Sequence, residues 1–194
     1  MARAGEEITS PFGPRLVFRE TSADTNGDAV VVDAYYPPGS SEPVAHYHPK
    51  QEEQFEVVSG KITTRINRKL ATYGPGDKFV VPKGAPHAMW NAGDEETHVV
   101  WATKPALKTE RFFETMWGLA RDGRTNSRGV PPLLHVAVIG REYWREFRLT
   151  RPAPPVQWVL FRLLAPFGKR KGYRGSYPEY SGELPAPVAP PQQQ

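Results

Sequence analysis

Three histidines and one glutamate have the residue types and the spacing of a metal site. His46 and His48 lie two residues apart, and Glu53 and His87 follow them. In a β-strand, residues i and i+2 share a face, so the rings of His46 and His48 would point the same way. His87 comes directly after Pro82-Lys83-Gly84-Ala85-Pro86, a segment that indicates a rigid turn. The sequence therefore predicts a metal centre with the ligands His46, His48, Glu53 and His87.

This ligand set restricts both the metal and its role. Neutral imidazoles together with a carboxylate suit Fe, Mn, Ni, Cu or Zn better than Ca or Mg. Four protein ligands leave positions open in a five- or six-coordinate ion, whereas structural zinc sites are closed and commonly contain sulfur. The chain has no cysteine. We therefore expect one divalent transition metal in a site that is catalytic rather than structural.

Short β-rich runs separated by Gly and Pro must position these residues. Between Arg15 and about Thr103, alternation and turn signals predict an antiparallel sandwich or barrel. The predicted strands are Arg15–Thr21, Ala29–Tyr36, Gln54–Ser59, Lys61–Asn67, Lys78–Val81, Ala88–Asn91 and Thr97–Thr103. The fold class is thus mainly β.

After Pro105 the spacing of apolar residues changes from about two, as in strands, to about 3.6, as in helices. The predicted helices are Thr109–Arg121, Pro131–Phe147 and Pro155–Phe167. The expected organisation is an N-terminal arm (1–14), a barrel (15–106), a helical extension (107–183) and a disordered tail (184–194). The extension is interpreted either as a lid over the barrel mouth or as an oligomer interface. The basic run Lys169-Arg170-Lys171 leaves contact with a membrane surface as a third, less favoured interpretation.

Two segments resemble the two motifs of the cupin superfamily. The first runs from Gly39 through His46, His48 and Glu53 to Gly60, and the second from Gly76 through Pro82 and His87 to Asn91. One departure is that six residues, not five, separate Gly39 from His46, and this falls in a turn. The resemblance implies a cupin-type antiparallel β-barrel (a double-stranded β-helix or jelly roll), the four ligands named above, a small-molecule substrate and a homodimer.

The alternation of side chains along the strands that carry the ligands predicts which residues line the pocket. Glu53 is preferred to Glu52 because only Glu53 leaves six residues before Gly60, as the first cupin motif requires. If Glu53 points inward, other residues of the same parity, or on neighbouring strands, should line the wall. These candidates are Phe55, Val57, Phe79, Val81, Met89, Asn91 and His98. An apolar, aromatic-lined pocket with one metal suits a small, apolar or partly aromatic ligand.

Three functions are compatible with such a site, because a fold does not determine an activity. The favoured hypothesis is a non-haem oxygenase or dioxygenase using iron, manganese or nickel, an activity that family members with these ligands have. Glu53 would then be catalytic, either as a ligand or as a base after leaving the metal. The alternatives are a redox-neutral isomerase, lyase or cyclase, and a non-enzymatic binding or sensor protein. No helix-turn-helix precedes the barrel, so no nucleic-acid partner is expected.

Composition limits the remaining classes. Hydrophobic residues make up 39% and aromatic residues 11% of the 194 residues, as in a globular protein. The formal charge of +4 is unevenly placed, with the excess of Lys and Arg in the C-terminal half. This basic half either is a solvated surface or contacts phosphate or acidic lipid. Neither a signal peptide nor an apolar run of membrane-spanning length is evident, so a cytoplasmic location is expected.

Overall fold

The computed structural model describes residues 2–181, and this part of the chain contains eleven β-strands, three α-helices and one 3-10 helix. The strands are β1 (Glu7–Ile8), β2 (Arg15–Glu20), β3 (Val30–Tyr36), β4 (His46–Tyr47), β5 (Glu52–Ser59), β6 (Ile62–Ile66), β7 (Lys69–Tyr73), β8 (Lys78–Val81), β9 (His87–Trp90), β10 (Thr97–Lys104) and β11 (Arg148–Leu149). The α-helices are α1 (Thr109–Arg121), α2 (Leu133–Glu142) and α3 (Pro154–Arg170), and the 3-10 helix spans Pro178–Tyr180.

The strands form two antiparallel sheets. The six-stranded sheet has the order β1-β2-β3-β10-β5-β8, and the five-stranded sheet has the order β11-β4-β9-β6-β7. Neighbours that are distant in sequence, such as β3 with β10 and β4 with β9, show that the chain crosses repeatedly between sheet positions. The expected mainly β fold class is confirmed.

The core lies between the sheets and is built by strict alternation. Along β5, Glu53, Phe55 and Val57 are buried, whereas Glu52, Gln54 and Glu56 are partly exposed. Inward residues of β2 and β3, among them Leu16, Phe18 and Val32, belong to the same cluster. A period of two with one buried face is what an antiparallel sheet requires.

The predicted strands all exist, and helix α1 has the predicted bounds. The sequence did not predict the short strands β1, β4 and β11. It also did not predict β7, in which Lys69 and Leu70 are exposed. Two-residue strands carry almost no pattern of their own, because their backbone geometry is set by the strand with which they pair. The predicted tail, 184–194, lies outside the described residues.

Helices α2 and α3 form a closely packed antiparallel pair behind α1. A Cβ atom on Gly140 would lie 2.4 Å from the ring of Phe161, and one on Gly168 would lie 2.5 Å from the carbonyl oxygen of Leu134. Glycine therefore permits an approach of the two helices that a larger residue would prevent. The opposite face of α3 is exposed, with five large apolar side chains: Val156, Trp158, Val159, Leu163 and Phe167.

Across residues 2–181, none of the helices combines the length and the apolar character needed to cross a membrane.

Candidate metal centre

Adjacent strands of the five-stranded sheet place two histidines side by side. His46 on β4 and His87 on β9 are direct cross-strand partners, and their ring centroids are 4.4 Å apart. His48 follows β4, and candidate ligand atoms of the three rings lie within 4.8 Å of one another. Glu53 reaches the same point from β5 in the opposite sheet. Its Oε1 lies 3.3 Å from His48 Nε2, and its Oε2 lies 3.0 Å from His87 Nε2.

The tautomer of each imidazole follows from its other nitrogen. Nδ1 of His46, His48 and His87 lies 3.3, 2.6 and 3.0 Å from the carbonyl oxygens of Val44, Glu146 and Ala85, respectively. Because a carbonyl oxygen only accepts, each Nδ1 must carry a proton and donate it. Each neutral ring therefore has its lone pair on Nε2, and the Nε2 atoms of His48 and His87 face Glu53. This is the usual arrangement of histidine ligands, whose second nitrogen is held by an acceptor.

The four side chains fit a cation. With the protons on Nδ1, the contacts between Glu53 and the Nε2 atoms of His48 and His87 bring together atoms that all accept hydrogen bonds. Within residues 2–181, the buried His48 Nε2 and Glu53 Oε2 have no hydrogen-bond partner. Unpartnered buried acceptors cost free energy unless a proton or a metal ion lies between them. The donor set, nitrogen plus one carboxylate oxygen, is that of a transition metal.

Burial and the neighbouring charges shift the pKa values of Glu53 and the three histidines. Burial opposes ionisation of Glu53, but the imidazoles around it outweigh that effect and lower its pKa to about 2. Burial and the neighbouring rings hold the pKa of His46 well below its usual value, and burial also lowers that of His48. Burial lowers the pKa of His87 as well, but Glu53 reverses this and raises it. A metal ion therefore competes chiefly with a proton on His87.

The helical extension is part of this centre. Strand β11 pairs with β4, so that Leu149 lies opposite His46 and Arg148 opposite Tyr47. The preceding Phe147 stacks on the ring of His46 with a centroid distance of 4.7 Å. The carbonyl that accepts from His48 belongs to Glu146, 98 residues away in sequence. The extension thus orients two of the three histidines.

Two buried glutamines, Gln157 and Gln51, hold the segments around the site in place by hydrogen bonds. Gln157 of α3 donates its amide to the carbonyl oxygens of Leu149 (2.7 Å) and Pro152 (2.5 Å), which ties β11 to the helices. Gln51, between His48 and Glu53, donates to the carbonyl of Pro105 and to Thr109 Oγ1 at the start of α1. Both side chains are almost completely buried, so these bonds are shielded from water.

A cavity of about 230 Å³ opens beside His46 and His87. Its wall comes from three parts of the chain, and no Asp or Glu among residues 2–181 lines it. The main contributors are Phe12 and Pro14 of the arm, Tyr36, Met89, Trp90 and Trp101 of the barrel, and Met116, Trp117 and Arg128 of the extension. Trp117 Nε1 donates to the carbonyl of Pro14 (2.7 Å), which holds the arm against α1.

A second cavity, of about 300 Å³, is also lined by His46 and lies among the helices of the extension. It is lined mainly by apolar residues of the extension, including Phe112, Ile139, Tyr143 and Phe161. Both cavities contact His46, Trp117 and Arg128, so they meet along one wall.

The pocket residues expected from the sequence fall into three groups in the structure: one that lines a cavity, several that fill the core, and two that lie elsewhere. Met89 lines the first cavity. Phe55, Val57, Phe79 and Val81 point inward but fill the core, where the rings of Phe55 and Phe79 stack at 4.9 Å.

Two of the expected pocket residues lie away from both cavities. Asn91 shapes a turn, since its amide donates to the carbonyls of Tyr36 and Glu95. His98 bonds Asp33 through Nε2 and stacks on Tyr35.

The strand pattern made Trp101 a pocket candidate but left its face open, and other residues of the centre were not found from the sequence. Trp101 Nε1 donates to Glu53 Oε1 over 3.0 Å and so orients the carboxylate. Its parity was ambiguous because the register of β10 against β5 shifts next to His98. Glu146, Phe147 and Arg128 carried no signal, since only the tertiary fold brings the extension to the barrel.

The comparisons with known proteins agree with this architecture. Residues 26–103 match the family model of the cupin domain. An oxidoreductase of Arthrobotrys oligospora is 27% identical in an alignment of 166 positions that covers 74% of this chain and 61% of that protein. The chain thus spans about three fifths of the length of this relative.

Solved structures resemble about half of the chain. An RmlC-like cupin from Shewanella frigidimarina covers 57% of this chain and 92% of its own, with 17% identity and a TM-score of 0.48. A double-stranded β-helix protein from Klebsiella pneumoniae covers 51% and 78%, with 25% identity and a TM-score of 0.44. The oxalate decarboxylase of Lactobacillus farciminis covers 53% and 31%, with 20% identity and a TM-score of 0.46.

The topology of two antiparallel sheets, with the histidines and Glu53 turned to the interior, defines a double-stranded β-helix with a candidate metal site. Residues 26–103 match the cupin domain, and a helical C-terminal extension follows this part of the chain.

Removing an imidazole should empty the centre. We expect His46→Ala and His87→Ala each to lower the metal content of the purified protein by more than roughly tenfold, since each removes one ligand nitrogen. Inductively coupled plasma mass spectrometry measures the metal per chain. His98→Ala is the matched control and should retain the metal, because His98 bonds Asp33 instead. Unchanged metal content in both ligand variants would disprove the assignment.

The indole of Trp101 should affect metal affinity without being a ligand. Trp101→Phe keeps an aromatic ring but removes the donor to Glu53, so we expect the dissociation constant for Zn²⁺ to rise by about 10- to 100-fold. Trp90→Phe is the control, because Trp90 lines the same cavity and no hydrogen bond of its indole occurs among residues 2–181. Competition with a chromophoric chelator gives both constants. Equal constants for the two variants would exclude this role.

Proposed function

We propose that this protein is a metal-dependent cupin enzyme that acts on a small organic molecule, and that its reaction is an oxygenation. The observation that carries the proposal is the pair of buried acceptor atoms without a partner among residues 2–181, His48 Nε2 and Glu53 Oε2, which lie in a cluster of three histidines beside a cavity. Such a cluster is costly unless a cation binds there, and its position beside a cavity gives a small molecule access to that cation.

His46, His48, His87 and Glu53 would hold one divalent transition metal. A redox-active ion such as iron or manganese would supply electrons for the activation of dioxygen, whereas zinc would only polarise the substrate. The chain itself orients the ligands through the carbonyls of Val44, Ala85 and Glu146. Preorganised ligands lose little freedom on binding the ion.

The charge state of Glu53 favours a role as ligand. Its pKa of about 2 means that it is ionised throughout the physiological range and is a weak base in the metal-free protein. Trp101 also occupies one carboxylate oxygen, Oε1, as a hydrogen-bond donor. Of the two catalytic roles considered for Glu53, we therefore favour ligation over proton abstraction.

The cavity suits an apolar, partly aromatic molecule. Trp90, Trp101 and Trp117 provide most of its large aromatic surface, and the arm and the extension cover its sides. Aromatic walls bind flat apolar groups and exclude water from the metal. The volume of about 230 Å³ restricts the substrate to a small molecule.

Two other functions remain as alternatives to be tested. A redox-neutral isomerase, lyase or cyclase would use the same ligands with zinc or another Lewis acid, and a binding or sensor cupin would use the metal to orient its ligand. The distant relative from Arthrobotrys oligospora is named an oxidoreductase, which favours the oxygenase. A cytoplasmic location stays a prediction.

Oxygen dependence distinguishes these functions. Protein purified without added metal is first analysed for its native metal, and we expect iron or manganese. Metal-free samples are then loaded with Fe²⁺, Mn²⁺, Ni²⁺ or Zn²⁺ and mixed with a panel of small phenols and aromatic carboxylic acids. We expect an oxygen electrode to record consumption with a redox-active ion and none with zinc, since zinc has no accessible redox change.

The controls decide between the alternatives. His87→Ala should abolish consumption, because it removes a ligand on β9. Conversion of a panel member under strict anaerobiosis would indicate the redox-neutral reaction instead. Binding of panel members without conversion by any metal form would favour the binding or sensor protein.

The homodimer implied by the family resemblance needs an apolar surface, and we propose the exposed face of α3. Val156, Val159, Leu163 and Phe167 recur at helical spacing and are 49–63% exposed. An exposed apolar patch of this kind commonly marks an interface. A second copy of the chain is favoured over a membrane surface because small residues such as Gly140 and Gly168 already hold α3 rigidly against α2.

A charge on this face should separate the subunits. We expect multi-angle light scattering to give a dimer mass for the wild type and a monomer mass for Leu163→Glu, because a dimer would have to bury the new carboxylate. Leu70→Glu is the control, since Leu70 is similarly exposed but lies on β7. A monomeric wild type that sediments with anionic phospholipid vesicles would indicate the membrane interpretation instead.

A further inference from the structure

Arg128 is an exposed residue that lines both cavities. Within residues 2–181, no Asp or Glu side chain lines either cavity. The second cavity also contacts Arg148, but that side chain is engaged: its Nε donates to the carbonyl of Trp144 and its guanidinium lies 4.0 Å from the centroid of that ring. Among residues 2–181, no ion pair, hydrogen bond or ring contact of the Arg128 guanidinium occurs.

The loop of Arg128 is shaped by its own hydrogen bonds. Asn126 Oδ1 accepts from the backbone N–H groups of Arg128 and Val130, and the N–H of Asn126 donates to the carbonyl of Val130. Gly129, with φ of 70°, completes the turn next to Phe12 of the arm. The loop therefore presents Arg128 at the wall where the two cavities meet, beside Trp117.

We infer that the ligand of these cavities is a small aromatic or branched carboxylate whose anionic group binds Arg128. This deepens the proposed function, on which it rests, by naming the substrate class. Arg128 is exposed and borders largely apolar cavities, and within residues 2–181 no carboxylate pairs with it, so its guanidinium attracts an anion. Its planar donors match a carboxylate in a two-point hydrogen bond.

The surroundings favour a carboxylate over a phosphate ester. A phosphate carries more charge and is usually held by several cations or by the N-terminus of a helix. Here one arginine stands among tryptophan, methionine and phenylalanine side chains. One negative charge on an apolar body therefore matches the wall. The body would lie against Trp117 and Met116, which border both cavities, with His46 at the far side.

Binding measurements with charged and neutral isosteres test this assignment. The probes are benzoate, phenylacetate and 2-naphthoate, each paired with its neutral amide. Zn²⁺-loaded protein is used so that no oxidation accompanies binding, and the affinity is measured by calorimetry and by quenching of tryptophan fluorescence. We expect the wild type to bind the carboxylate of at least one pair roughly tenfold or more tightly than the amide.

Substitutions of Arg128 test whether this residue causes the preference for the carboxylate over the amide. Arg128→Gln should abolish the preference and Arg128→Lys should retain part of it, because lysine keeps the charge but loses the planar donor pair. Arg141→Gln is the matched control and should behave as wild type, since Arg141 lies on the exposed side of α2 and lines neither cavity. A preference that survives Arg128→Gln, or the absence of any preference in the wild type, would overturn the inference.

Titrations of the metal-free protein distinguish a failure of this inference from a failure of the proposed function. The same titrations on metal-free protein should keep the dependence on Arg128, so the inference can hold even if no reaction is found. A preference that disappears with the metal and is insensitive to Arg128→Gln would mean that the carboxylate binds the ion directly. That outcome would overturn the role of Arg128 and leave the metal centre intact.

Discussion

Each imidazole of the metal centre donates its Nδ1 proton to a backbone carbonyl, and the rest of the site depends on that constraint. It leaves the lone pairs of the three rings on Nε2, and those of His48 and His87 face the buried carboxylate of Glu53. Backbone carbonyls are more rigid acceptors than side chains, so the ring orientations are fixed before a metal arrives. The arrangement is unfavourable without a cation, which makes the centre selective for binding one.

The same constraint connects the extension to the candidate metal centre. The acceptor for His48 is the carbonyl of Glu146, and Phe147 stacks on His46. Strand β4 has only two residues, and it is held between β9 and β11. If β11 left, His48 would lose its acceptor and β4 one of its edges. The helices behind β11 therefore stabilise the metal centre as well as enclosing the second cavity.

The extension also supplies what the barrel lacks, a charged group at the cavity wall. The barrel contributes aromatic and thioether side chains around His46 and His87, whereas Arg128 comes from the loop between α1 and α2. In the roles that we propose, the cupin domain would provide the metal ligands and the extension would select the molecule that reaches them. Selection by an element outside the barrel agrees with the variety of functions that one fold supports.

Alternation and spacing in the sequence determined the inner face of β5, the burial of Glu53 rather than Glu52, most of the strands and the bounds of α1, because these features depend on local periodicity. Alternation distinguishes inside from outside, but it does not tell which inward side chains line a cavity and which fill the core. Phe55, Val57, Phe79 and Val81 therefore were grouped with Met89, although only Met89 faces the first cavity. The placement of His98 against Asp33, of Trp101 against Glu53 and of Glu146 against His48 was decided by the tertiary structure alone. These contacts join residues 48 to 98 positions apart, and no local pattern records a partner that only folding brings near.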